Sequence, residues 1–232
     1  MFGDPWYWRW GVPPYLSHSD RSPGLEHCNC FMAEKKTRQW LAGTERRKQL
    51  LSYAVKTAAQ RGLGRTGHTE IARQAGVAVS SVFLYFPNRH DLICSIVAEV
   101  GRYYIDLARR FHESELDPLE AIAQHLYAFS ASVDNDPEYA QVWLEWAVLI
   151  RNEDNLWDAF LEFQEHIIRT VANSIRRCQK LGTVRKSVPA SDAARLLVAS
   201  AYTTTQLKFM KRSPRVVHRY IEQALNLALQ HE

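Results

Sequence analysis

Apolar residues recur at helical spacing along nearly all of the chain after Thr44, and no stretch alternates as strand positions would. Leu50, Leu51, Ala54, Val55 and Ala58 share one face of a predicted first helix that runs from Thr44, a suitable N-cap, to Arg61, with Gly62 as its stop. Two short helices are predicted next, His68–Ala75 and Val79–Tyr85. The turn Gly76-Val77-Ala78 separates them and Pro87-Asn88 ends the second. Longer helices are predicted over 89–112, where Leu92, Ile96, Val100 and Leu107 keep helical spacing, and over 117–133, 137–150, 156–181, 191–211 and 214–230. Nine helices without a strand predict an all-α fold, a three-helix head followed by a six-helix body.

Residues 1–33 break this pattern. Pro5, Pro13, Pro14 and Pro23 stand among Trp, Ser and Gly with no periodic apolar face, so a disordered extension is expected. The segment from Met32 through Lys35, Lys36 and Arg38 reads like an ordinary basic protein start, which suggests that the natural product begins at Met32. The competing reading is an appendage with a role of its own. The expected division is therefore 1–33 extension, 34–88 arm and head, and 89–232 regulatory and dimerisation domain.

Composition narrows the class. With 23% charged and 46% hydrophobic residues the chain is ordinary for a soluble globular protein. It has no apolar run of membrane-spanning length and no recognisable export signal, so a cytoplasmic location is expected. Cys28 and Cys30 form a lone C-x-C, short of a zinc signature, and with Cys94 and Cys178 are read as reduced thiols. His68-Thr69-Glu70 is not a zinc-binding H-E-x-x-H, and neither a G-x-S-x-G nor a phosphate loop occurs. Neither an enzyme nor a cofactor is expected. Charge is uneven: Lys35–Arg110 holds 14 Lys/Arg against 5 Asp/Glu, leaving the rest at −5 within a whole-chain charge of +4. Such asymmetry fits one end facing a polyanion, and equally an ordinary solvated face.

A short helix, a glycine turn and a second short helix are the ingredients of a DNA-binding helix-turn-helix, although a plain helical hairpin uses the same ones. The second helix must offer small or polar residues to base edges in the major groove. Ser80 and Ser81 meet that need, Val79 offers apolar contact to a thymine methyl, and Val82 and Phe86 turn inward. Phe83 and Tyr85 end the helix where a phosphate strand would pass. Arg89 after the break and Lys35, Lys36 and Arg38 before the first helix add cations for phosphates and the minor groove.

Gly76-Val77, the run Phe83-Leu84-Tyr85-Phe86-Pro87-Asn88-Arg89 and Asp91-Leu92 resemble the signature of the TetR family of dimeric transcription regulators. Gly62 through His68 and the tryptophan-rich Val142–Trp146 with Arg151 and Trp157 resemble the quorum-sensing master regulators of that family, the LuxR/HapR/SmcR type. The likeness spans about residues 38–210 and is strongest in the head. It implies that Arg38 enters the minor groove and that His68 and Thr69 meet a phosphate. It further implies that Val79, Ser80, Ser81, Phe83 and Leu84 line the major groove, while Tyr85 and Arg89 hold the backbone. Two positions depart from that type, which has Asn where this chain has Leu84 and a second arm Arg where it has Trp40.

The same resemblance implies a cavity for a small apolar or amphipathic ligand, lined by Tyr104, Leu107, Trp143, Phe160, Gln164 and Ala201. Core packing is the simpler reading of most aromatics in the body, and Glu145 is expected to pair with a base such as Arg151. Leu196, Leu197, Ala201, Leu207, Ile221, Leu225 and Leu229 form an apolar stripe on the last two helices. By itself the stripe fits either inward packing or a homodimer interface, and the resemblance implies the latter. The expectation is a homodimeric regulator acting at a pseudo-palindromic operator. The alternatives are a ligand-responsive repressor of an efflux or metabolic operon, and a helical small-molecule-binding protein with a vestigial head.

Overall fold

The computed structural model describes the backbone of residues 33–149 and 154–229, and the side chains of 43–148 and 156–229. The expected extension, Cys28, Cys30 and Arg151 fall outside the described residues. Among those described there are nine α-helices and no strand: α1 (Ala33–Arg61), α2 (His68–Ala75), α3 (Val79–Tyr85), α4 (Arg89–His112), α5 (Pro118–Asn135), α6 (Pro137–Leu149), α7 (Asp154–Leu181), α8 (Ala190–Phe209) and α9 (Pro214–Leu229). A 3-10 turn, Leu63–Arg65, joins α1 to α2 and has no counterpart in the sequence reading. Three helices agree with the expected bounds to the residue: α2, α3 and α4. The first does not. Its backbone is helical from Ala33, so Thr44 lies inside the helix rather than capping it.

Two compact units divide the chain, 1–48 and 49–232. The described part of the first is the opening of α1, where Lys48 Nζ pairs with Glu45 Oε1 at 3.2 Å. In the second unit, Leu50, Leu51, Ala54, Val55 and Ala58 are buried, as their spacing predicts. The longer helices pack as successive neighbours: α4 on α5, α6 and α7, then α7 on α8 and α8 on α9. Trp146 is the largest fully buried side chain. Its indole N–H donates to Leu156 O at 3.2 Å, so the polar end of a big apolar ring is satisfied.

Helix starts follow from local chemistry. Asn88 Oδ1 accepts the Asp91 amide at 2.8 Å and caps α4. Asp117 Oδ1 accepts the Leu119 amide at 2.9 Å at the start of α5, with Pro118 following where a missing N–H is harmless. The stripe expected on α8 and α9 divides. Leu197, Ala201, Ile221 and Leu229 belong to the chain's own core, because α8 and α9 pack on one another. Leu207 and Leu225 are half-buried against that core, and Leu196 is exposed.

Candidate nucleic-acid interface and ligand cavity

The head is built around the link between α1 and α2. Gly62 ends α1 at φ 94°, a conformation that a Cβ would strain. Thr66 is buried, and its hydroxyl donates to Gly62 O at 2.9 Å, closing the loop on itself. The 3-10 turn is then held from two directions. The Leu63 amide donates to Glu145 Oε2 of α6 at 2.5 Å, and Arg89 Nη2 of α4 donates to Gly64 O at 2.5 Å. Glu145 was expected to pair with a base. The base named for it, Arg151, lies outside the described residues, and among those described Glu145 accepts an otherwise orphan amide, the need that a turn's first N–H groups always create.

Gly76 ends α2 in the left-handed region at φ 66°, and its amide reaches back to the Ala72 and Arg73 carbonyls. The chain re-enters a helix at Val79. Val82 and Phe86 are fully buried, as expected, and anchor α3 against the head. Val79, Ser80, Phe83 and Leu84 are exposed, with Leu84 at 75%. These four form two adjacent i, i+4 columns and hence one continuous face. Ser81 and Tyr85 are half-buried at its margins.

His68 departs from its expected place at a phosphate. Its side chain is 7% exposed, and Nε2 lies 2.7 Å from Phe86 O. A carbonyl only accepts, so Nε2 carries the proton. The ring also stacks on Phe83, with centroids 3.9 Å apart and planes 6° from parallel. The imidazole turns inward because one of the last carbonyls of α3 needs a donor there. His68 thus positions α3, and Thr69, the next residue, is the exposed one.

Among the other expected contacts, Arg89 is exposed while still pinning Gly64. Lys35, Lys36 and Arg38 lie on helical backbone rather than an irregular arm, and their side chains are outside the described residues. Arg65, exposed in the 3-10 turn next to Gly64, was not singled out as a site residue. The signal available was a lone cation in a glycine-flanked loop. Glu70 offsets other head cations: Arg73 Nη2 lies 2.5 Å and Arg61 Nη2 3.2 Å from its carboxylate. The Arg73 hydrogen bond is the main cause that holds the Glu70 carboxyl down at about 2.

A cavity opens within the bundle, with about 570 Å³ free of protein atoms when its mouth is included. Tyr104, Trp143, Gln164 and Ala201 line it, as the resemblance implied. Leu107 and Phe160 do not. Both are buried in the core, Phe160 packed edge-on against Trp146 with centroids 5.3 Å apart. Sequence reasoning missed His125 and Phe129 on the wall. Behind that wall His125 Nδ1 lies 3.1 Å from His112 Nε2, and His112 Nδ1 lies 2.8 Å from Ser174 Oγ. Burial pushes His112 down to about 4, with the Arg177 charge adding to it, and His125 down to about 3, with His112 adding.

Comparisons with known proteins agree with this architecture. Residues 50–96 match the model for bacterial regulatory proteins of the tetR family. The chain is 34% identical over 127 residues to the HTH-type transcriptional regulator LuxR of Vibrio harveyi, a match covering 55% of this chain and 61% of that protein. It thus spans less than two thirds of the curated relatives' length, 61% again for the regulator HbdR of Aromatoleum sp. at 25% identity. In fold it is similar to the regulator FadR of Bacillus subtilis in complex with stearoyl-CoA, with a TM-score of 0.65 at 20% identity over 78% of this chain and 97% of that one. A Rhodococcus sp. structure described as a TetR-family transcriptional regulator gives a TM-score of 0.71 at 18% identity over 80% and 99%. Over residues 50–96 the head thus matches the tetR family of bacterial regulatory proteins, and the helical body is similar in fold to these solved structures.

Proposed function

We propose that this chain is a dimeric transcription regulator of the quorum-sensing type, which binds a pseudo-palindromic operator through α3. The observation that carries the reading is the exposed face of α3. Val79, Ser80, Phe83 and Leu84 point to solvent from a helix anchored by Val82 and Phe86. A helix of that kind fits the major groove. Thr69, Tyr85 and Arg89 take phosphates, joined by Arg65 beside Gly64 and, at the chain's basic opening, by Lys35, Lys36 and Arg38. Ser81 supports the groove face from its margin.

Two reading heads need a twofold partner. Leu196 of α8 and Val216 and Leu227 of α9 are exposed, Leu227 at 74%, and such apolar residues supply the isologous contact between the last two helices of each copy. The bundle cavity takes a small, largely apolar ligand whose binding biases the spacing of the heads. The relatives make that reading reasonable, since the FadR structure holds stearoyl-CoA and a further neighbour in fold is a SmeT–triclosan complex.

The test is duplex binding followed by fluorescence anisotropy on fragments recovered by genomic footprinting. Affinity is expected to fall by orders of magnitude between roughly 50 and 200 mM salt, because each phosphate contact releases counterions. A salt-independent response, or no selective recovery of fragments, would instead mark a helical ligand-binding protein with a vestigial head.

A further inference from the structure

The cavity wall carries two buried polar atoms that have no hydrogen-bond partner, the Tyr104 hydroxyl and the Trp143 indole Nε1. Both residues are nearly enclosed, at 4% and 3% exposure, and their rings are neighbours with centroids 5.9 Å apart. Buried donors are seldom left unmatched, since each forfeits its water without replacement. Ser132 lies close enough to Tyr104 to moderate the rise that burial gives its hydroxyl, yet not in hydrogen-bonding geometry, and its own hydrogen goes to Phe129 O at 2.7 Å. The indole is fixed in place: Tyr202 packs on it at 4.2 Å and is itself held by Gln164, whose Nε2 donates to the Tyr202 hydroxyl at 2.8 Å.

Apart from Gln164, which is engaged with Tyr202, and His125, the remainder of the wall is apolar, including Ile122, Leu126, Phe129, Ile167 and Leu197. No Lys, Arg, Asp or Glu lines it among the described residues. His125 on the wall and His112 behind it stay uncharged at neutral pH because they are buried. An anion placed here would therefore lose its hydration and meet no countercharge.

We propose that the cavity selects uncharged, mainly aliphatic molecules bearing one acceptor oxygen, a ketone, ester or lactone carbonyl, which seats on the Trp143 N–H and the Tyr104 hydroxyl. This rests on reading the bundle cavity as the ligand site. An indole N–H can only donate, and a phenol that stays protonated donates beside it. The pair therefore discriminates acceptor oxygens both from plain hydrocarbon and from carboxylates. A free fatty acid is excluded by its charge, not by its length.

Three probes of matched size separate these terms: 2-nonanone, octanoate and nonane, titrated at pH 7.5 against the full chain and monitored by calorimetry. The ketone is expected to bind about tenfold more tightly than nonane, the worth of one or two neutral hydrogen bonds. Octanoate is expected to bind more weakly than the ketone by tenfold or more. Trp143→Phe and Tyr104→Phe keep the packing and remove one donor each. Each is expected to weaken the ketone about threefold to tenfold while leaving nonane unchanged. Octanoate matching the ketone, or ketone affinity untouched in both variants, overturns the proposal. Failure of all three probes overturns it too, and at the level of the cavity as a ligand site. Duplex binding, measured separately, reports on the head alone.

Discussion

Glu145 Oε2 accepts the Leu63 amide at 2.5 Å and so ties the body helix α6 to the turn between α1 and α2. The bond is charge-assisted and its donor is an otherwise orphaned N–H, the arrangement in which a hydrogen bond contributes most. Glu145→Ala is expected to cost about 1.5–3 kcal/mol. Thermal melting checks the value, and limited proteolysis checks its location, with faster cleavage between Gly62 and Gly67. An unchanged melting temperature would show that water replaces the carboxylate without loss.

On the proposed groove reading, Leu84 and Arg89 separate specificity from affinity. Leu84 is 75% exposed, so Leu84→Asn is expected to leave stability within about 0.5 kcal/mol. If α3 reads the groove, the amide adds a base contact and sharpens preference among duplexes by about 1–3 kcal/mol. Arg89→Ala is expected to weaken all duplexes alike, since phosphates carry no sequence. Selection from a randomised duplex library measures both. A change of preference in Arg89→Ala with none in Leu84→Asn would reverse their roles.

His68 is expected to act through structure. His68→Phe keeps an aromatic ring against Phe83 but leaves the Phe86 carbonyl without its donor. A loss of about 1–3 kcal/mol is expected in urea unfolding, the cost of one unsatisfied buried group. If the urea midpoint stays put while duplex binding drops, the imidazole is a phosphate contact after all.

The His112–His125 pair makes stability depend on pH in one direction. Folding lowers both from the ordinary histidine range to about 4 and about 3. Between about pH 6.5 and 4 the unfolded chain takes up protons that the folded one refuses, so stability falls as pH falls, by up to about 1.4 kcal/mol per histidine per pH unit. The contribution is complete above about pH 6.5 and is lost progressively as pH drops through the folded values. Melting temperatures from pH 7 to 4 are expected to fall less steeply in the double variant His112→Gln, His125→Phe. Parallel slopes would assign the acid sensitivity to other groups.

The head was legible because its limits are written locally. Gly62, Gly76 and Asn88 sit where the left-handed turns and the cap of α4 require them, and Val82 with Phe86 marks the inner face of α3. What stayed hidden depends on partners distant in sequence. His68 looks like an exposed helix start until Phe86 O, eighteen residues on, claims its ring, and the partner of Glu145 is eighty-two residues away. Leu107 and Phe160 were mistaken for cavity wall because an apolar residue facing a void and one facing a neighbour share the same periodicity. The early start of α1 was hidden for another reason. Its opening residues are mostly polar, and helical propensity there leaves no apolar stripe to read.

The solvent-facing position of Leu84 bears on how such a protein changes over generations. Val82, two residues earlier, is locked into the fold, and almost any replacement there puts the head itself at risk. Position 84 is under no such constraint, because the fold asks nothing of it. If α3 reads the groove as proposed, a point mutation at this codon can exchange one set of preferred binding sites for another while the protein remains as well folded as before. Divergence between related regulators can therefore begin at this residue, with the genes under control drifting first and the scaffold following much later.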